Sequence, residues 1–209
     1  YPNYYSYERG AGEIESGSPL SDLTAVYGRD GMRLLESTFR YPKGRVVATG
    51  SPRYDALAAE AARADRLARR RELGWPERGR VLVLASRYRG IRDTHKAAGP
   101  AFTSLLDAVR GLGDATLVVK PHPAEPGDAY NEDIAAAGLG PRIRVVTDET
   151  LTRLLPAADL LITVESLSAT EALVAGVPVV VLRHPSNLRD VVSSGAALGV
   201  REGESPLTA

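Results

Sequence analysis

The fold is decided by residues 115–182, ATLVVKPHPAEPGDAYNEDIAAAGLGPRIRVVTDETLTRLLPAADLLITVESLSATEALVAGVPVVVL. Short apolar runs of the kind that form fully buried strands alternate here with segments of helical periodicity. The polar residues gather directly after the apolar runs. Because the carboxyl ends of parallel strands meet at one edge of an open sheet, this pattern predicts a polar rim where a ligand binds.

The same alternation continues on both sides of this stretch. Strands are predicted at 81–85, 116–119, 142–147, 160–163, 177–182 and, at the edge of the sheet, 196–200. Helices are predicted at 54–73, 101–112, 128–137, 151–157, 168–175 and 187–194. Strands and helices that alternate with short connections are typical of right-handed βαβ units. The sequence therefore predicts an α/β fold with a doubly wound, Rossmann-like parallel sheet.

Composition excludes several classes of function. The chain has 209 residues, 44% of them hydrophobic and 25% charged, which is ordinary for a soluble globular protein. Its formal net charge of +0 gives no long-range attraction to nucleic acid. It has no cysteine, and its histidines lie far apart, so we expect no thiol nucleophile and no metal site. No Gly-rich Walker loop or nucleophile-elbow motif is present.

The chain divides at about residue 55. We expect residues 1–55 to be the C-terminal end of an N-terminal domain or a linker, and residues 56–209 to be the Rossmann-like domain. The sequence begins without methionine and ends in a polar tail, so we interpret it as an excised part of a longer protein. No signal peptide is visible, and no apolar run approaches the roughly 20 residues that span a bilayer. We therefore expect a cytoplasmic location.

The first candidate site follows the strand at 116–119. Lys120-Pro121-His122-Pro123 is stiffened by its two prolines, which favour an extended backbone at Lys120 and His122. A histidine held at this edge could donate a hydrogen bond to a phosphate oxygen, and we predict that Lys120 and His122 both bind phosphate. The alternative is a stiff loop with a surface histidine.

The second candidate site follows the strand at 160–163. Ser166 or Ser168 is predicted to cap a helix, and Glu171 would complete a capping box with Ser168. That explanation is purely structural. The same helix end also offers N–H groups and hydroxyls, with Thr170, to an anion, and the Glu171 carboxylate could accept hydrogen bonds from ribose hydroxyls.

Other polar residues follow the remaining strands. Ser86 and Arg87 come directly after the strand at 81–85, and Arg87 could pair with a phosphate. A solvated basic loop explains these residues equally well. Additional contacts to the base or sugar are predicted for Thr147, Asp148, Asn187 and Arg189.

Three stretches together resemble the C-terminal, donor-binding domain of GT-B glycosyltransferases. Residues 47–55 resemble the crossover at which the N-terminal domain of that superfamily ends. Residues 118–123 resemble the HP motif of capsule-type transferases, bacterial sialyltransferases and CDP-glycerol glycerophosphotransferases. Residues 166–180 resemble the superfamily's ribose- and phosphate-binding helix with its Gly-x-Pro turn.

The resemblance implies a nucleotide-activated sugar or a CDP- or CMP-type donor, a glycan or other acceptor, and no cofactor. His122, Ser166 and Ser168 would hold the donor phosphates, and Glu171 the ribose. The catalytic base would come from the N-terminal domain, so this piece would bind nucleotide but turn over poorly. The product would be a surface polysaccharide or related glycan, and the rest of the enzyme could bring the protein to a membrane surface.

Two alternatives stay open. UDP-N-acetylglucosamine 2-epimerases share this architecture, but Ser86-Arg87 stands where the epimerases carry His-Arg. The second alternative is a non-catalytic α/β module used for protein assembly, in which the polar loops only cap helices.

Overall fold

The computed structural model describes residues 21–86, 99–184, 188–201 and 204–206 of the protein. The chain forms two compact units, Tyr1–Ala56 and Leu57–Ala209. That residues 1–55 end a preceding domain or form a linker stays a prediction, and residues 1–20 lie outside the described part.

The first unit contains two parallel strands, β1 (Thr24–Val26) and β2 (Val46–Ala48), connected through helix α1 (Arg29–Ser37). Helix α2 (Pro52–Arg63) begins four residues after β2. Apolar side chains from both strands and from α1 form a small core, since each is shielded from water by the others. Its buried members are Val26, Leu35, Tyr41 and Val46.

The prediction of one long helix at 54–73 is wrong. Helix α2 ends at Arg63, and a separate helix α3 (Arg66–Glu72) follows it. The carboxylate of Asp65 accepts hydrogen bonds from the backbone N–H groups two and three residues later, at 2.9 and 3.2 Å. An aspartate in this role begins a new helix. The apolar periodicity runs through the break, which is why the pattern alone did not indicate it.

The second unit is built on one parallel sheet. Its strands are β3 (Arg80–Ala85), β4 (Ala115–Lys120), β5 (Ile143–Val145), β6 (Leu160–Thr163), β7 (Val179–His184) and β8 (Leu198–Arg201). They lie in the order β5-β4-β3-β6-β7-β8, and every neighbouring pair is parallel. This is the strand order of a doubly wound Rossmann fold, with two halves that start from the central strands β3 and β6. The predicted fold class is confirmed.

In the described residues, helices and two short 3-10 turns cover both faces of the sheet. They are α4 (Gly99–Gly111), α5 (Asn131–Ala137), α6 (Leu151–Leu154), α7 (Ser168–Val174) and α8 (Arg189–Ser193), with 3-10 turns at Gly140–Arg142 and Leu155–Ala157. Leu82 and Leu84 of β3 pack in a core with α4 and α5, whereas Val81 and Val83 pack in a second core with α6 and α7. Successive side chains of a strand point to opposite faces, so β3 is buried on both.

The Gly-x-Pro turn between α7 and β7 is a helix C-cap. Gly176 has φ +72°, in the left-handed region that glycine adopts most easily. Its N–H donates to the carbonyl of Leu173, and the N–H of Val177 donates to the carbonyl of Ala172 at 2.8 Å. This pair of hydrogen bonds is a Schellman motif, which ends α7 and directs the chain into β7.

An ion pair between the buried Arg70 and the half-buried Asp159 fixes α3 against the amino edge of the sheet. The side chain of Arg70 donates to the carbonyl of Ala157 at 2.9 Å and to Asp159 Oδ2 at 2.5 Å. Asp159 Oδ2 also accepts from the N–H of Val81 at 2.7 Å. Arg70 is only 3% exposed, so its charge depends on these acceptors. The cluster lies where β3 and β6 begin, at the opposite edge from the predicted rim.

Candidate functional site

Three central strands end level with one another at the carboxyl edge of the sheet. Ala85 of β3 is paired with Lys120 of β4 on one side and with Thr163 of β6 on the other. The buried hydroxyl of Thr163 donates to the carbonyl of Ala85 at 3.0 Å, which ties the ends of β3 and β6 together. The chain winds in opposite directions from β3 and from β6. This is the switch point at which open α/β sheets bind ligands, and residues 86, 121–125 and 164–168 surround it.

Ser86, the first residue after β3, joins two of these loops. Its backbone N–H donates to the carbonyl of Lys120 at 3.1 Å, which extends the β3–β4 pairing by one residue. Its Oγ accepts from the backbone N–H of His122 at 2.7 Å and donates to the carboxylate of Glu125. The half-buried hydroxyl therefore helps to fix the conformation of the neighbouring loop.

His122 lies at the turn of that loop, with its side chain exposed. Its carbonyl accepts from the N–H of Glu125 at 2.8 Å, which closes a tight turn. Its ring Nδ1 accepts from the N–H of Ala124 at 3.1 Å. A backbone N–H can only donate, so the neutral ring in this arrangement carries its proton on Nε2. The imidazole can therefore offer an Nε2–H donor to an anionic oxygen.

Two residues of this loop, Glu125 and Tyr130, were not identified from the sequence. Glu125 Oε2 accepts from the N–H of His122 at 3.0 Å and from the hydroxyl of Tyr130 at 3.3 Å. The bond from the N–H of His122 to the Glu125 side chain is one half of a capping box, whereas the N–H of Glu125 donates to the backbone carbonyl of His122. The spacing of Glu125, three residues after His122, was the signal that could have revealed it.

Lys120 connects the end of β4 to the loop that follows β5. Its Nζ donates to the carbonyl of Thr147, the residue two positions after β5, at 2.9 Å. Gly127 packs against the same threonine, since a Cβ at position 127 would come within 2.9 Å of the Thr147 methyl group. The binding of phosphate by Lys120 stays a prediction, and the structure adds a structural contact for its ammonium group.

The loop after β6 differs from the predicted capping box. The N-cap of α7 is Leu167, which makes no side-chain cap hydrogen bond, and Ser168 is the first helical residue. Ser166 Oγ accepts from the N–H of Ser168 at 3.2 Å and lies 2.7 Å from its Oγ. This short-range bond turns the chain one residue early, so Leu167 already has helical dihedrals. The prediction that Ser166 or Ser168 is the N-cap is wrong, because the N-cap is Leu167.

Glu171 is a buried carboxylate on the first turn of α7, with only 7% of its surface exposed. Thr170 beside it is half-buried. Buried carboxylates are rare in proteins and are found with partners that satisfy them. It lies on the helix that follows the loop at residues 164–168, and its contact to a ribose stays a prediction.

The remaining predicted residues are more scattered. Thr147 and Asp148 are exposed after β5, and Arg189 is exposed at the start of α8. Arg87 and Asn187 lie outside the described residues. At the end of the loop after β5, Thr150 caps α6, and its side chain accepts from the N–H of Arg153 at 3.4 Å.

Neither a metal cluster nor a membrane span is found in the part of the chain that the structure describes. Within those residues, no group of three or more His, Cys, Asp or Glu side chains is placed to hold a metal ion. No helix there combines the length and apolar character that crossing a bilayer requires.

Solved structures share this fold. The wall teichoic acid polymerase TagF, in a variant soaked with CDPG, has a TM-score of 0.54 and 19% identity over 81% of this chain. UDP-GlcNAc 2-epimerase from Neisseria meningitidis, bound to UDP-GlcNAc, has a TM-score of 0.64 and 17% identity over 87% of this chain. A glycosyltransferase from Rickettsia africae has a TM-score of 0.60 and 12% identity over 88%.

This chain spans 40% of the TagF structure, 49% of the epimerase and 50% of the Rickettsia glycosyltransferase. At these identities the likeness establishes the fold, and it agrees with the resemblance to GT-B enzymes seen in the sequence. A search of curated protein sequences gave no match.

A match to a family profile shows family membership, which fold similarity at these identities does not. The profile of the CDP-glycerol:poly(glycerophosphate) glycerophosphotransferase family matches residues 18–164, which is most of the chain. The matched region contains the strands β1 to β6, with Ser86 and His122, and ends just before Ser166. The chain belongs to the CDP-glycerol:poly(glycerophosphate) glycerophosphotransferase family.

Proposed function

We propose that this chain is the donor-binding part of a transferase that moves glycerol phosphate, or a related polyol phosphate or sugar, from a nucleotide-activated donor to a surface polymer. The observation that carries the proposal is the family match across the loop that holds His122. CDP-glycerol is the donor that the family description names. The TagF variant soaked with CDPG has the same fold, which supports a donor of this kind.

The proposed reaction requires little covalent chemistry from the protein. The acceptor hydroxyl attacks the phosphorus that carries glycerol, the bond to CMP breaks, and negative charge grows on the departing CMP phosphate. Catalysis of phosphoryl transfer depends on positioning and on donors aimed at that charge. The Nε2–H group of His122 and the polar groups of residues 166–168 are the donors that we assign to this role.

The carboxylate of Glu171 is assigned to the ribose in this proposal. The base that activates the acceptor hydroxyl would lie outside the Rossmann-like domain. The acceptor site would also lie outside it. No cofactor is needed for the proposed transfer. Because nucleotide-activated donors are made in the cytoplasm, the proposal includes a cytoplasmic location, with the growing polymer as the acceptor partner.

Isothermal titration of the 209-residue chain with CDP-glycerol, CDP, CMP and UDP-GlcNAc tests the proposal. We expect CDP-glycerol and CDP to bind, and His122→Ala to weaken both by about tenfold or more, since a hydrogen bond to a charged group contributes about 1.5–3 kcal/mol. Arg80→Ala is the matched control, because Arg80 is exposed at the opposite end of β3 from Ser86.

Three outcomes are decisive. Binding of the cytidine nucleotides that depends on His122 supports the proposal. Tight binding of UDP-GlcNAc alone would favour an epimerase-like function, for which the TM-score of 0.64 to the Neisseria enzyme is the supporting observation. No heat with any nucleotide would favour a non-catalytic assembly module.

A further inference from the structure

One carboxylate oxygen accepts hydrogen bonds from several polar groups around the His122 loop. Glu125 Oε2 accepts from three donors: the hydroxyl of Ser86, the N–H of His122 at 3.0 Å and the hydroxyl of Tyr130 at 3.3 Å. These donors come from the end of β3, from the turn itself and from the residue that caps α5. Hydrogen bonds to an ionised acceptor are stronger than those between neutral groups. Glu125 therefore joins three separate segments at one atom.

The carboxylate is anchored to the core through Tyr130. Tyr130 is only 4% exposed, and its ring contacts that of Phe102 of α4 edge to face, with centroids 5.1 Å apart. Such aromatic pairs add stability beyond the area they bury. A continuous path of contacts thus runs from the packed interface of α4, through Tyr130 and Glu125, to His122.

The orientation of the imidazole follows from the shape of the turn. The N–H of Ala124 holds ring Nδ1, so the ring direction depends on the backbone of residues 122–125. That backbone is closed by the bond from the N–H of Glu125 to the carbonyl of His122 and by the return bond to the Glu125 side chain. If the carboxylate is removed, Ser86 Oγ is still an acceptor for the N–H of His122. The loop then keeps one of the two side-chain hydrogen bonds that hold this N–H.

We propose that Glu125 is a positioning residue that sets the direction and tautomer of the His122 imidazole for the donor phosphate. This inference rests on the proposed function for the identity of the ligand. The carboxylate itself does not touch the donor; it acts through His122, because a hydrogen-bond donor must be held in its productive geometry before the ligand arrives. The Nε2–H group then faces the phosphate without a reorganisation of the loop.

A double-mutant cycle separates this role from a general loss of structure. Glu125→Ala is expected to weaken CDP binding by about tenfold, and by less than about twofold when His122 is already alanine, because residues that act through one another are not additive. Glu125→Gln retains an oxygen acceptor and should restore most of the affinity. Glu132→Ala, which removes an exposed carboxylate of α5, is the control and should change nothing.

A spectroscopic measurement tests the same role without any ligand. The nitrogen-15 shifts of the imidazole report which ring nitrogen carries the proton, and the chain has three histidines, which can be assigned by variants. In the wild type and in Glu125→Gln we expect the His122 ring to hold its proton on Nε2. In Glu125→Ala we expect averaged shifts from both tautomers. Tyr130→Phe removes one bond to the carboxylate and should give an intermediate pattern.

The outcomes distinguish this inference from the proposed function. If the wild type binds no nucleotide, the proposed function fails, while the imidazole shifts still decide whether Glu125 positions the ring. If Glu125→Ala folds with unchanged His122 shifts, the inference is overturned, whatever the affinity. An equal loss of affinity in the presence and absence of His122 would also overturn it. If Glu125→Ala fails to fold, Tyr130→Phe and Glu125→Gln decide, and wild-type shifts in Tyr130→Phe then count against the inference.

Discussion

The backbone N–H of His122 donates a 2.7 Å hydrogen bond to Ser86 Oγ, and this bond connects the loops that follow two neighbouring strands. Ser86 follows the central strand β3, whose position is fixed by pairing on both sides. The bond therefore fixes the His122 loop relative to the switch point of the sheet. Small changes at Ser86 should act on ligand binding through the position of this loop.

Ser86→Ala removes the acceptor for the His122 N–H and the donor to Glu125. We expect donor affinity to fall about threefold to tenfold and the free energy of unfolding to fall by about 1–2 kcal/mol, because two hydrogen bonds of about 1 kcal/mol each are lost. The effect on affinity should be smaller than that of His122→Ala, because Glu125 still accepts from the His122 N–H.

Calorimetric titration with CDP and urea unfolding measure the two effects of Ser86→Ala. Ser193→Ala is the matched control, since that hydroxyl is exposed on α8 and bonds only to its own helix through the carbonyl of Asp190 in the described contacts. An affinity that stays at the wild-type value would show that the loop does not depend on Ser86.

Glu171 is predicted to recognise the ribose hydroxyls. The wild type should bind CDP about tenfold or more tightly than its dideoxy analogue, which lacks both hydroxyls, because a hydrogen bond to a carboxylate contributes about 1.5–3 kcal/mol. Glu171→Ala should bind both ligands with nearly equal affinity. Titration of both ligands against both proteins measures this preference.

A matched control for Glu171→Ala is Glu72→Ala, which removes an exposed carboxylate at the end of α3. It should leave the preference for CDP intact. If Glu171→Ala folds and keeps the full preference for CDP over the dideoxy analogue, the carboxylate has a structural role instead, and the assignment of the ribose to α7 is wrong.

The ion pair of Arg70 and Asp159 is predicted to stabilise the fold without affecting the site. Arg70→Ala removes the buried partner but leaves Asp159 with Arg66 and the N–H of Val81, so we expect a cost of about 1.5–3 kcal/mol, the value of a hydrogen bond to a charged group. Arg66→Ala removes a half-exposed partner of the same aspartate, at 2.8 Å, and should cost less than about 1 kcal/mol. Urea unfolding compares the two variants.

Donor affinity provides the second readout for this pair, because both arginines lie near the amino edge of the sheet. Arg66→Ala should bind CDP as the wild type does. Similar stability losses in the two variants would show that burial does not govern the strength of this pair.

The sheet could be predicted from the sequence because its strands are short, apolar and buried on both faces, as in residues 81–85 and 116–119. The break between α2 and α3 could not, since Asp65 looks like any charged residue on a helix until its carboxylate caps the next one. His122 and Ser86 stood out because they directly follow strands. Glu125 did not, because it does not directly follow a strand and one of its donors, Ser86, is distant in sequence; only its spacing of three residues from His122 indicated a local contact.

The loop after β6 shows a different limit. Ser168 and Glu171 have the spacing of a capping box, in which the Glu171 carboxylate would accept from the N–H of Ser168. Ser166 Oγ accepts from that N–H instead, and the helix begins at Ser168. Two serines two residues apart offer alternative local hydrogen bonds, and sequence spacing does not say which one forms.

The central claim is that the carboxyl edge of the sheet, at the switch point between β3 and β6, holds the phosphates of a nucleotide-activated donor. The most direct test is to follow the backbone amide signals of the assigned chain by NMR as CDP-glycerol is added. We predict that the largest shifts fall at Ser86, His122 and residues 166–171, with little change at Arg80 or Asp114 on the opposite edge. Shifts confined to that opposite edge, or none at saturating donor, would contradict the account.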